Sequence, residues 1–331
     1  MSKNEVISLW KKYLYEIDKE EKYEMHMKSC FNMTINELFE QRKEEKPNEK
    51  LISDILKQRN ENLYLEEIIK YNESMFKNIP FWNFYKPILF YYFEGKSKFE
   101  EYQEQVLDID NFMCRMLIQG YLYLHNYGKR SIIFELNYAR ENKELHGDSA
   151  EERYHFFNEE MLSDDMFLKD LYSEYSELFK VLTLKANQYV EYVIDILESY
   201  RRECHQIKKV FGFEKNEKIV DVKLGQGDLH KGGKTVAILQ LENNLVVYKP
   251  NKLGIEIAYY ELIKWINRKI DINLAAAKSY FTGSAVWMEY METSACKTEE
   301  DIKEFYLNIG MIMCILYSLN ATDFHHENIL A

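Results

Sequence analysis

The chain has 331 residues, 46% of them hydrophobic and 30% charged, and a formal net charge of -12 at pH 7. That length accommodates about two domains of ~100–200 residues with a sizeable core. The acidic balance argues against a nucleic-acid partner, because a phosphate backbone needs a basic surface to displace its counterions. There is no uninterrupted apolar run of about 18 residues, so no transmembrane segment is expected. The opening MSKNEVISLWKKY lacks the apolar stretch and small-residue cleavage site of a signal peptide, which predicts a cytoplasmic protein.

The cysteines Cys30, Cys114, Cys204, Cys296 and Cys314 are odd in number, scattered and never spaced as C-x-x-C. Neither a disulfide framework nor a zinc ribbon is indicated, and they are expected to pack as small apolar side chains. Around Pro47, the stretch EKPNEK reads as an exposed loop. The aromatic run Phe81, Trp82, Phe84, Tyr85, Phe90, Tyr91, Tyr92 and Phe93 reads as helix–helix core, with a peptide-receiving groove as the alternative. Ser149-Ala150-Glu151-Glu152 fits a capping box that starts a helix through Phe156 and Phe157. Further on, Leu182, Ala186, Tyr189, Val190, Val193, Ile194 and Leu197 recur at helical spacing. Residues 1–211 are therefore expected to form a mostly helical region.

Glycine marks a boundary. Gly95, Gly120, Gly128 and Gly147 are the only ones before residue 212, whereas Gly212, Gly225, Gly227, Gly232 and Gly233 crowd together after it. There the period changes: strands are predicted over 218–224, 235–241 and 245–249, joined by a glycine-rich turn and by an Glu242-Asn243-Asn244 hairpin. Pro250 and Gly254 should end this small antiparallel sheet. A helix over 255–267 then places Ile255, Ala258, Tyr259, Leu262, Ile263 and Ile266 on one broad face. Strands near 277–281 and 285–290 flank Gly283-Ser284, and a helix over 299–319, apolar on nearly all sides at its end, should be buried.

The predicted fold class is α+β: a mostly helical N-terminal region, then over 212–331 the small antiparallel sheet and helix of a protein-kinase-like N-lobe and the start of a catalytic loop. The order of strand, glycine loop, strand, strand ending in Lys, helix, two strands, helix and Asp-x-x-x-x-Asn is that of a kinase-like fold. Lys249 ends its strand where a kinase places the lysine that neutralises nucleotide phosphates. A carboxylate on the next helix must hold it; Glu261 and Glu256 are both available, with Glu261 preferred. Asn328 follows Asp323 by five positions, the spacing used when an aspartate handles the substrate hydroxyl and an asparagine coordinates Mg²⁺. The turn Gly225-Gln226-Gly227-Asp228-Leu229-His230-Lys231-Gly232-Gly233-Lys234 is unusual for a phosphate cradle because it carries an acid and an imidazole. Asp228 and His230 are therefore candidate acid/base groups for a second reaction.

GDLHKGGKTV, LVVYKP and ATDFHHENILA together closely resemble the successive signatures of the dehydratase domain of class II (LanM-type) lanthipeptide synthetases, and HGDSAEERYHFF and LYSEYSELF resemble its helical region. The resemblance implies a lantibiotic-biosynthesis enzyme using ATP and Mg²⁺ to phosphorylate Ser and Thr of a ribosomal precursor peptide. It then eliminates the phosphate to leave dehydroalanine or dehydrobutyrine. It implies that Lys249 serves phosphorylation, that Asp323, His325 and Asn328 belong to the catalytic loop, with Asn328 on the Mg²⁺, and that Asp228 and His230 serve elimination. Gly227, Gly232 and Gly233 would border the nucleotide, and the helical region would hold the leader.

The family continues past the ENILA segment into a second lobe with a metal-binding aspartate, then Arg and Thr residues used in elimination, and a zinc-dependent cyclase. The chain stops at Ala331 and so reads as a fragment or a split-gene product lacking the C-lobe. A separate chain carrying that lobe or the cyclase is an expected partner, and the isolated chain is expected to bind ATP weakly and turn over little. The alternatives are a small-molecule kinase of the aminoglycoside-phosphotransferase type, which shares the Asp-x-His-x-x-Asn loop, and a non-catalytic peptide-binding remnant.

Overall fold

The computed structural model describes residues 48–77, 79–94, 97–227, 233–250 and 255–322, together with Met25, Lys28, Thr34 and Glu37. The first part of the described chain is helical: α1 (Glu49–Glu61), α2 (Leu63–Tyr71), α3 (Glu73–Phe76), α4 (Trp82–Phe93), α5 (Ser97–Glu100), α6 (Ile109–Glu141), α7 (Ala150–Glu159), α8 (Asp165–Glu174) and α9 (Ser176–Phe211). Strands β1 (Ile219–Lys223), β2 (Ala237–Leu241) and β3 (Leu245–Lys249) follow, then α10 (Ile255–Ile270), β4 (Ser279–Phe281), β5 (Val286–Glu289) and α11 (Glu299–Ser318). The protein is thus α+β, mostly helical with a small antiparallel sheet. No helix among the described residues is long and apolar enough to cross a membrane.

Local signals explain where several helices begin. Ser149 accepts the Glu152 amide while the Glu152 carboxylate accepts the Ser149 amide, so α7 opens on the expected capping box. Asn48 caps α1 by accepting the Leu51 amide, so the loop read around Pro47 gives way to helix at Glu49; the residues before Asn48 in that stretch lie outside the described set. The aromatic run is core: Phe81, Trp82, Phe84, Tyr85, Phe90 and Phe93 are buried, with Tyr91 and Tyr92 packed against them. Helices α4, α6 and α9 meet at Gly120, where a Cβ would stand 3.0 Å from the Leu89 side chain and 3.1 Å from the Tyr189 ring.

The strands form one sheet in the order β1-β2-β3-β5-β4, antiparallel throughout. Pro250 and Gly254 predict an end to the sheet after β3. Instead β5 returns to pair with β3, Lys249 opposite Val286 and Val246 opposite Glu289. The strand period is legible before and after the helix, but which strands pair is set by the return of the chain.

Along β3, burial alternates: Val246 and Tyr248 are buried while Leu245, Val247 and Lys249 are half-buried. The Tyr248 ring packs on Tyr192 of α9 and on Trp287 of β5, so the inner face of the sheet rests on the long helix. Core residues from Ile52 in α1 to Trp287 in β5 form one continuous cluster.

Three expectations about packing are corrected. Helix α11 has no buried residue, and Tyr306, Leu307, Met313 and Tyr317 are exposed; its apolar composition is real, but no described element covers it. On α10 only Ile263 is buried and Ile255 is exposed, so the broad apolar face is only partly used. Cys114 is buried and Cys204 half-buried, whereas Cys296 and Cys314 are exposed because they lie in the linker before α11 and on α11 itself. Cys30 lies outside the described residues.

Candidate functional site

β3 delivers Lys249 to the outer face of the sheet, away from α9. The same face carries Val247 and, by register, Ile238 of β2 and Met288 of β5, all half-buried. Lys249 Nζ lies 3.8 Å from Glu256 Oε1, and the two side chains are 32% and 14% exposed. The Glu261 preference is thereby corrected. Glu261 is five residues beyond Glu256, about 140° round the helix at ~100° per residue. It is exposed and lies 3.8 Å from Lys264 on its own helix. Glu256 occupies the first turn of α10, the part of the helix nearest to where the chain leaves β3.

The glycine turn between β1 and β2 is described at both ends. Gly225 has φ +76 and donates its amide to Thr235 Oγ1 at 2.9 Å, while Gln226 donates its amide to the Val236 carbonyl at 3.1 Å. Gly227 lies against Val236, with 3.6 Å from its would-be Cβ to Val236 Cγ2. Gly233 has φ +75 and abuts α9 and α6, where a Cβ would meet Gln188 Oε1 at 3.2 Å and the Tyr123 hydroxyl at 3.4 Å. A side chain at Gly233 would be strained by both its backbone and its neighbours. Among the remaining expected site residues, Asp228, His230 and Gly232 in this turn and Asp323, His325 and Asn328 in the C-terminal loop lie outside the described residues.

Several polar residues that shape this half of the molecule carry no motif. The Tyr192 hydroxyl donates to the Thr235 carbonyl and the Tyr200 hydroxyl to the Glu217 carbonyl at 2.5 Å, so two residues of α9 fasten the backbone just before β2 and just before β1. Both tyrosines are pushed well above the ordinary phenol range, chiefly by burial, and act as donors. Glu217 is buried and accepts the Asn243 and Asn244 amides at 2.8 and 3.2 Å and the Asn244 side-chain amide at 2.6 Å, which fixes the β2–β3 hairpin. Their only sequence trace is a run of tyrosines on a helix and a pair of asparagines at a turn.

Residues 175–331 match the family model described as "Domain of unknown function (DUF4135)". Over 211 residues the chain is 23% identical to the Lacticin 481/lactococcin biosynthesis protein LcnDR2 of Lactococcus lactis subsp. lactis, an alignment covering 61% of this chain and 23% of that relative. The chain therefore spans under a quarter of the length of the curated relative it matches. These two findings bear out the resemblance to class II lanthipeptide synthetases that the motifs carry.

Proposed function

We propose that this chain is the peptide-facing and nucleotide-facing part of a lanthipeptide dehydratase, acting on Ser and Thr of a ribosomal precursor peptide. The observation that carries the reading is the pairing of Lys249, at the end of β3 on the outer face of the β1-β2-β3-β5-β4 sheet, with Glu256 in the first turn of α10. The similarity to a lacticin 481 biosynthesis protein supports the choice of a peptide over a small-molecule acceptor.

The residues present fit a nucleotide. Lys249 would neutralise its phosphates, Glu256 would keep the ammonium oriented, and Val247, Ile238 and Met288 would offer apolar contact to a base. Bound ATP would supply the phosphoryl group, and Mg²⁺, held by Asn328, would spread its charge. Asp323 would accept the proton of the substrate hydroxyl as the phosphoryl group moves from ATP to that oxygen, releasing ADP, with His325 supporting the loop. Asp228 and His230 would then serve elimination, in which the Cα proton and the phosphate leave and a Cα–Cβ double bond forms. Gly227, Gly232 and Gly233 would border the phosphates and lend them backbone amides.

Titrating the chain with Mg-ATP tests the reading. Lys249→Ala should abolish binding, Glu256→Gln should weaken it by roughly tenfold, the worth of one charge-assisted contact, and Glu261→Gln should leave it unchanged. Equal affinities in wild type and Lys249→Ala would refute the assignment. In the complete enzyme, Asp323→Ala should yield unmodified peptide, whereas His230→Ala should accumulate phosphopeptide, as read by mass spectrometry.

A further inference from the structure

We propose that Thr235 and Tyr192 are positioning residues of the site, holding both ends of the glycine turn in place against α9. This inference rests on the nucleotide-facing reading above. Thr235 is an acceptor twice: its Oγ1 takes the Gly225 amide across the turn at 2.9 Å, and its carbonyl takes the Tyr192 hydroxyl from α9. Both residues are buried, at 5% and 2% exposure. At such a position a buried hydroxyl is tolerated only if its hydrogen bonds offset its desolvation, since valine has the same shape without that cost.

The rest of the contact follows one face of the helix. Gln188, Tyr192 and Asp195 recur at i, i+4 and i+7, and they meet three consecutive residues of the turn. Gln188 lies against Gly233, Asp195 holds the Lys234 ammonium at 2.6 Å, and the Tyr192 ring carries Lys234 above it at 5.8 Å as well as bonding Thr235. The C-terminal end of the turn is thus held by one face of the helix. The Tyr192 ring also packs on Tyr248 of β3, next to Lys249, so one helix residue contacts both the end of the turn and the strand that carries the lysine. The pair fixes the ends of the turn against α9 and contributes no atom to the chemistry.

The experiment compares Thr235→Val, Thr235→Ser and Tyr192→Phe in the full chain, reading amide hydrogen exchange at Gly225 and Gln226, Mg-ATP affinity and the urea midpoint. Thr235→Val should speed exchange at Gly225 by roughly tenfold and weaken Mg-ATP by a similar factor, the effect of one lost hydrogen bond. Thr235→Ser, which keeps the hydroxyl, should restore both, and Tyr192→Phe should weaken Mg-ATP while leaving the Thr235–Gly225 bond protected. The proposal is overturned if Thr235→Val exchanges and binds as wild type does, or if Thr235→Ser fails like valine. A wild-type chain that binds no Mg-ATP would instead overturn the functional reading and the site role of the pair with it, so the two failures are distinguishable.

Discussion

Tyr85 is buried in α4 with its hydroxyl pressed into α6 at Gly128, where a Cβ would stand 2.6 Å from that oxygen. Gly128→Ala must push the ring or the helix aside, an overpacking cost of about 1–3 kcal/mol. The urea midpoint should fall while the slope stays constant; an unchanged midpoint would mean that the helices separate freely there. Glycine spacing in the sequence pointed to the strand boundary but not to this role, because close helix approach depends on which side chain arrives from elsewhere. The same limit applies to Lys249 and its partner. The strand-end lysine was legible, whereas the choice between Glu256 and Glu261 requires the rotation of α10 about its axis, which helical period alone does not set. Thr235, Tyr192 and Glu217 were silent for a related reason: their partners lie 43, 43 and 26–27 positions away or act through backbone atoms.

At the scale of elements, local chemistry read well. The capping box at Ser149 and the strand of alternating residues ending at Lys249 both stand where the residues put them. Ser149→Ala should cost about 1 kcal/mol through loss of the acceptor for the Glu152 amide, with the change confined to the melting of α7 as followed by exchange at residues 150–153. Protection there equal to wild type would show that packing of Phe157, not the cap, holds the first turn. α11 shows where such reading stops. Thr298 and Asp301 form a capping box, and the helix runs as its periodicity indicates, yet it has no buried residue. Period and caps specify that a helix forms; they carry nothing about what lies beside it. For the same reason the pairing of β5 with β3 is not legible in the sequence, since a strand's neighbours are fixed by long-range return and not by its own composition.

For the whole molecule, the division into a helical region and a sheet region is clear in the sequence, but the two share a core. Phe179, Val193, Tyr200, Leu239, Tyr248 and Trp287 belong to one cluster, and Tyr200 packs on Trp287 across the boundary. Removing either side would strip apolar cover from the other at ~25 cal/mol per Å². The described chain should therefore unfold in a single step: far-ultraviolet circular dichroism, dominated by the helices, and tryptophan emission, which includes Trp287 in the sheet, should give coincident urea transitions. Separate midpoints would show that the regions are independent.

The outer margin of β1 has its own consequence. The Leu107 amide donates to the Ile219 carbonyl at 2.9 Å and the Ile219 amide to the Gln105 carbonyl at 2.7 Å, with Val106 bridged to Ile219 in parallel. A short length of the helical region thus lies alongside β1 as a guard rail, satisfying backbone groups that would otherwise invite a neighbouring molecule to add a strand. Gln105–Leu107 precedes β1 by more than a hundred positions, so this one-residue bridge stitches the sheet's margin to a remote stretch of chain while the rest of β1 is aligned by β2.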